Sequence, residues 1–319
     1  MKLSAVSIKK LIKGAFLFPI CQGYVFPKHF SEKDIKSFEA FEKEDQGWGW
    51  RAGFCCGASL ELKTDASKIG FKYFVKSASS EANTFDLYVN DKLQSVHTVS
   101  GEGKFSVSFD LPEGEKKVTI YFPNDCELGI KDLEFDGGYR AVKSKGKKVL
   151  IIGDSITQGY GTFMSGASYV NVLKRKTGFD ILPQGIGGLA FKHETLNKPE
   201  GFMPDMIIVA LGTNYYDIEY YEYEKEAKAF YEKLHGLWSD VPIYDITPLW
   251  RNDSVKWERF MHCIDVIKSE CRKYENITVI DWFDLVPHTD FAFIDKLHPN
   301  AWGAELMADA LAKIITDKK

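Results

Sequence analysis

The chain of 319 residues contains no apolar run long enough to span a bilayer, so a membrane partner is not expected. It has no block of clustered lysine and arginine, and its formal net charge is −4. Nucleic acid is therefore not an expected partner either, because neutralising phosphates needs such a cluster. Six cysteines occur, Cys21, Cys55, Cys56, Cys126, Cys263 and Cys271, but no Cys-x-x-Cys. That pattern is neither a disulfide framework nor a zinc site, and it fits reduced thiols in a cytoplasmic protein. Internal repeats and low-complexity segments are absent. A secretory leader is only imitated. Lys9, Lys10 and Lys13 precede the stretch from Gly14 to Cys21, but its apolar run is short and broken by Pro19.

What is present suits a protein with a substantial core: 45% of residues are hydrophobic against 27% charged. The length suggests two domains of roughly 100–200 residues each. Ser31 reads as the N-cap of a short helix ending before Gly47-Trp48-Gly49-Trp50. From about residue 51 apolar residues alternate with polar ones. The runs are Ala58-x-Leu60-x-Leu62, Phe71-x-Tyr73-x-Val75, Phe85-x-Leu87-x-Val89, Phe105-x-Val107-x-Phe109, Val118-x-Ile120-x-Phe122 and Leu133-x-Phe135. Turn residues such as Asn90-Asp91 and Pro112-Glu113-Gly114 separate them, which predicts an antiparallel β-sandwich over residues 1–145.

Lys143-Ser144-Lys145-Gly146-Lys147 reads as a linker, and beyond it the period changes. Strands are expected at Lys148–Gly153, Phe179–Leu182, Asp205–Leu211, Pro242–Asp245 and Ile277–Asp281. Helices with one apolar stripe lie between them: Tyr223, Ala227, Phe230, Leu234 and Leu237, then Trp257, Phe260, Ile264, Ile267 and Cys271. A last helix shows Trp302, Leu306, Ala310 and Ile314. Strands alternating with helices predict a parallel α/β sheet over residues 146–319.

The first of these strands carries the strongest local signal. Val149-Leu150-Ile151-Ile152 runs into Gly153-Asp154-Ser155, so a serine hydroxyl sits at the carboxyl edge of a buried strand, where α/β proteins bind ligands. A serine needs a base to become a nucleophile. His298 is the candidate, in Asp295-Lys296-Leu297-His298 just before the last helix, with Asp295 close enough to fix its tautomer. Two further loops leave strand ends on the same edge. Gln184-Gly185-Ile186-Gly187-Gly188 follows the second strand and Gly212-Thr213-Asn214 the third. Amides of Ser155 and Gly188 and the side chain of Asn214 could together hold a developing oxyanion. Asp154 reads as a structural hydrogen-bonding residue of the turn.

These four blocks, in this order, resemble those of the SGNH (GDSL) hydrolase superfamily. The resemblance covers roughly residues 148–317. It implies a flavodoxin-like five-stranded sheet and a Ser155–His298–Asp295 ester hydrolase with no metal or cofactor. It also implies an oxyanion hole of Ser155, Gly188 and Asn214. Gln184 departs from the commoner second block, in which an asparagine precedes the glycine. In the first domain, Thr84-Phe85-Asp86-Leu87-Tyr88 is similar to a Gly-x-Asp-Leu-Tyr signature of jelly-roll-like modules that precede some SGNH domains, with Thr84 in place of glycine. The pair of domains resembles carbohydrate esterase family 2 and its relatives, which implies acetyl esters of plant oligosaccharides as substrates.

Trp250-Arg251, after the fourth strand, is the expected substrate contact, an aromatic face and a guanidinium suited to a sugar. Trp282 and the loop Gly47-Trp48-Gly49-Trp50-Arg51 are further candidates, with core packing as the competing explanation for each tryptophan. The alternatives are a lipase or thioesterase acting on longer acyl chains, and a non-catalytic carbohydrate-binding protein. Nothing in the sequence fixes whether the chain is an oligomer.

Overall fold

The computed structural model describes residues 2–41, 47–79, 83–144 and 146–316. Residues 42–46, at the expected end of the first helix, and Lys145 of the linker lie outside the described residues.

The alternating runs form two antiparallel sheets packed face to face. One runs Ile12–Lys13, Ser59–Thr64, Lys116–Tyr121, Thr84–Val89, Lys92–Thr98, with Tyr139–Ala141 also on Ser59–Thr64. The other runs Ile20–Cys21, Tyr24–Val25, Cys126–Phe135, Lys68–Ala78, Gly103–Asp110. Leu60, Leu62, Phe71, Val75, Phe85, Leu87, Val118, Ile120 and Ile130 face inward and form one core. The residues just before the leader-like stretch belong to it, since Ile8, Leu11 and Ile12 are buried there. Lys92–Thr98 went unpredicted because it is an edge strand with almost no buried residue to reveal its period.

Residues 148–316 build the parallel sheet. Its strands are Lys148–Gly153, Asp180–Gly185, Met206–Ala210, Ile243–Ile246 and Ile277–Ile280, ordered second, first, third, fourth, fifth. The chain reverses direction across the sheet between the first and third strands, so their carboxyl ends flank a crevice. Helices cover both faces. Tyr220–Leu237 and Trp257–Cys271 lie on one, Tyr169–Thr177 and Ala301–Thr316 on the other. The stripe of the last helix is displaced by one residue from expectation. Gly303, Ala304, Met307, Ala308, Leu311 and Ile315 are buried, while Trp302 is exposed. Small residues let this helix approach its neighbour Tyr169–Thr177 closely, which a face led by Trp302 would prevent.

The segment between the first strands of the sandwich crosses to the other layer. Ser31 caps the helix Glu32–Glu39 in a full capping box with Asp34. Phe30, Phe38, Trp48 and Ala52 are buried in the same core as Leu150, Leu182 and Val209 of the parallel sheet. Thr84–Val89 also serves both layers. Phe85 and Leu87 enter the sandwich core, while Asp86 accepts the Gly166 N–H at 2.6 Å and Tyr88 lies beneath the Arg175 guanidinium. The Asp-Leu-Tyr signature is thus a docking strand: its alternation places a carboxylate and an aromatic on the face turned to the α/β layer.

Among the described residues, no helix is long and apolar enough to cross a membrane.

Candidate active site

Ser155 opens a one-turn helix, Ser155–Gln158, directly after the first parallel strand. Asp154 caps it, its carboxylate accepting the Ile156 N–H at 3.0 Å. The turn is tight enough to require glycine at its start. A Cβ on Gly153 would lie 2.0 Å from Thr157 Oγ1. Gly159, at φ +96°, ends the turn in the left-handed region. Burial pushes the Asp154 carboxyl up to about 7, with the Ile156 N–H and the charge of Arg251 pulling the other way.

Ser155 Oγ lies 2.9 Å from His298 Nε2. The other ring nitrogen, Nδ1, lies 2.7 Å from Asp295 Oδ2. A carboxylate can only accept there, so Nδ1 carries the proton and Nε2 is left to accept from the serine hydroxyl. Asp295 also organises the turn. Its Oδ1 accepts the backbone N–H of His298 at 2.7 Å and of Leu297 at 3.1 Å, while Lys296 takes φ +67°. Burial raises the Asp295 carboxyl, but these N–H groups and the imidazole outweigh it and hold it below the usual range. Tyr160 packs edge-on against the His298 ring, centroids 4.6 Å apart.

The two glycine loops border the serine. The Gly187 N–H is taken by Gln158 Oε1 at 2.7 Å. Gly188, at φ +80°, has an N–H with no acceptor among the described residues. Asn214 Nδ2 donates to Asp154 Oδ2 at 3.3 Å and to the Leu189 carbonyl at 3.2 Å, long bonds that tie the nucleophile turn to the loop after Gly188. The Ser155 N–H is a first-turn donor of its helix. A hydroxyl placed in this way can pass its proton to imidazole as it attacks a carbonyl.

The expected sugar contacts Trp250 and Arg251 also have partners within the protein. Arg251 is buried, its guanidinium paired with Asp253 and donating to the Thr213 carbonyl at 2.6 Å. It holds the Asn214 loop through the Thr213 backbone. Trp250 stacks on His288, centroids 5.2 Å apart, and packs on Phe293. Trp282 is fully buried in the core. Trp48 is buried too and meets Tyr215, next to Asn214, and Arg51 donates to the Gly187 carbonyl at 3.3 Å. Gln184 reaches the His29 carbonyl at 2.7 Å, so its departure from the commoner pattern ties the amino-terminal segment to the sheet.

Sequence reasoning missed Gln158 and Tyr160. Gln158, three residues beyond Ser155 on the same helical turn, offered a spacing signal. Asp125, which accepts from Gln158 Nε2, offered none, because its partner is far off in sequence.

Residues 151–306 match the model of the GDSL-like lipase/acylhydrolase family, which marks this stretch as a GDSL/SGNH-type domain. No curated protein sequence matches the chain. Solved structures similar to it span both layers. The salicylyl-acyltransferase SsfX3 from a tetracycline biosynthetic pathway aligns with a TM-score of 0.74 at 18% identity, covering 96% of this chain and 94% of its own. A family two carbohydrate esterase from Cellvibrio japonicus aligns at 0.68 and 15% identity, covering 99% and 97%. Another from Clostridium thermocellum, in complex with cellohexaose, aligns at 0.66 and 17%, covering 83% and 93%. At these identities the likeness is one of fold: an SGNH hydrolase sheet joined to a β-sandwich.

Proposed function

We propose that the protein is a serine esterase that removes short acyl groups, acetyl above all, from carbohydrates. The observation that carries this reading is the hydrogen-bonded line from Ser155 through His298 to Asp295, at 2.9 and 2.7 Å. In the proposed reaction Ser155 Oγ attacks the ester carbonyl carbon and its proton passes to His298 Nε2. Asp295 holds the resulting imidazolium. The carbonyl oxygen, now an anion, accepts from the N–H groups of Ser155 and Gly188 and from Asn214. As the tetrahedral intermediate collapses, the C–O bond to the alcohol breaks and His298 returns the proton to the leaving oxygen. A water molecule, its proton taken by the same histidine, then attacks the acyl-enzyme; free acid leaves and Ser155 regains its proton.

Support for a sugar as leaving group comes from a cavity of about 140 Å³ beside the site. Asn124 and Asp125 of the sandwich line it together with Tyr160 and Phe163, a mix of polar and aromatic groups that suits a sugar ring. A second reading, longer acyl chains, draws on the exposed apolar rim of Phe163 and Ile294. Buried free thiols at Cys55, Cys56, Cys126, Cys263 and Cys271 support a cytoplasmic location.

The test compares acetyl with octanoyl esters and adds a panel of acetylated oligosaccharides. Ser155→Ala is expected to lower turnover of all of them by at least about 10³-fold while the unfolding midpoint is unchanged. Undiminished turnover in that variant rules the mechanism out, and a preference for octanoyl esters favours the second reading.

A further inference from the structure

We propose that the amino-terminal region is part of the ester-cleaving machinery: Arg51, with the Asp125–Gln158 pair, sets the Gly187–Gly188 peptide so that the Gly188 N–H faces the oxyanion. The inference rests on the esterase reading of the site.

The peptide between Gly187 and Gly188 is trans, so its carbonyl and its N–H point in opposite directions. Arg51 Nη1 holds the carbonyl at 3.3 Å. Whatever fixes that oxygen fixes the N–H on the other side, and a cation on the oxygen also polarises the amide into a better donor. The preceding N–H, that of Gly187, is turned away to Gln158 Oε1. Gln158 cannot rotate freely, because its Nε2 donates to the buried Asp125 carboxylate. The loop is gripped at two successive groups, leaving the Gly188 amide as the one turned outward.

Packing agrees with this assignment. A Cβ on Gly187 would lie 3.2 Å from Arg51 Cδ and 3.3 Å from Gln158 Oε1, so both side chains rest directly on the peptide. Arg51 itself is held by its helix, Trp48–Arg51, whose Trp48 is buried against Tyr215 of the Asn214 loop. Arg251 does the corresponding job on that second loop, through the Thr213 carbonyl. Each loop that borders Ser155 thus has an arginine on a backbone oxygen, one from the α/β domain and one from the amino-terminal region.

The test is Arg51→Ala and Arg51→Lys in the full chain, assayed on 4-nitrophenyl acetate beside Ser155→Ala. A fluorophosphonate, whose phosphoryl oxygen enters the same donor set, gives an independent labelling rate. For Arg51→Ala, kcat should fall about tenfold or more with KM within about threefold, because the lost interaction acts on the transition state. Labelling should slow in parallel. Guanidinium ion should restore part of both rates, Arg51→Lys should retain more than Arg51→Ala, and the unfolding midpoint should stay within about 3 °C. An unchanged kcat overturns the proposal. So does a rise in KM alone, which would make Arg51 a substrate contact, or a rate loss that tracks lost stability and resists guanidinium. If Ser155→Ala keeps its activity, the esterase reading fails instead; if Ser155→Ala is dead and Arg51→Ala is not, only the Arg51 role fails.

Discussion

At the scale of single residues the site depends on local chain geometry. Asp295 and His298 are three residues apart, and one carboxylate serves both the imidazole and the turn's backbone N–H groups. Asp295→Asn would keep the shape but present an amide to Nδ1, favouring the tautomer that leaves Nε2 protonated and unable to accept from Ser155. We expect kcat for 4-nitrophenyl acetate to fall by about 10³–10⁴-fold with little change in the unfolding midpoint. This pair was legible in the sequence because its geometry is local. The partners of Arg251 were not legible, because exposure is not local: Asp253 and Thr213 engage its guanidinium in the interior.

At the scale of elements, the strand Ile243–Ile246 carries a carboxyl where an apolar residue would be expected. Asp245 is fully buried, with only Oδ2 served, by the Tyr231 hydroxyl at 2.9 Å. Burial pushes its carboxyl from the usual 3.8 up to about 7, with the Tyr231 hydrogen bond opposing. The folded value exceeds the unfolded one, so the folded state binds the extra proton between these values. Stability from this group is full below about pH 4 and is lost as pH rises through about 7. Asp245→Asn keeps a partner for Tyr231 without the charge. It should raise stability near pH 8 by on the order of 2–4 kcal/mol and flatten the decline between about pH 4 and 7, measured by thermal unfolding from pH 4 to 8. The element types themselves were readable from period two and period 3.6. The edge strand Lys92–Thr98 was not, since an exposed strand shows no hydrophobic alternation, and the last helix was placed one residue out of phase because alanine and glycine lead its buried face.

At the scale of the whole molecule the two layers fold as partners. Trp48 lies in the amino-terminal region, yet its indole is buried in the core of the parallel sheet. Trp48→Ala should cost about 3–5 kcal/mol in denaturant unfolding, the cost of a large cavity. Because the indole also packs on Tyr215, esterase activity should fall along with it. The docking strand Thr84–Val89 adds a second joint, through Asp86 to Gly166 and Tyr88 to Arg175.

The sequence by itself determined the two architectures, the strand that delivers Ser155, the Asp295–His298 turn and the order of the four blocks. Each of these is written in periodicity or in spacings of a few residues, which act through local backbone geometry. Only the tertiary structure decided that Arg51 reaches the Gly187–Gly188 loop, that Asp125 holds Gln158, that Arg251 supports the Asn214 loop, and that the amino-terminal helices share the core of the parallel sheet. Those contacts join residues at least 33 positions apart, as Asp125 and Gln158 are, and as far apart as Trp48 and Tyr215. No local pattern encodes them; burying Trp48, Phe38 and Phe30 in the core of the parallel sheet is what brings Arg51, beside Trp48, to the Gly187 carbonyl.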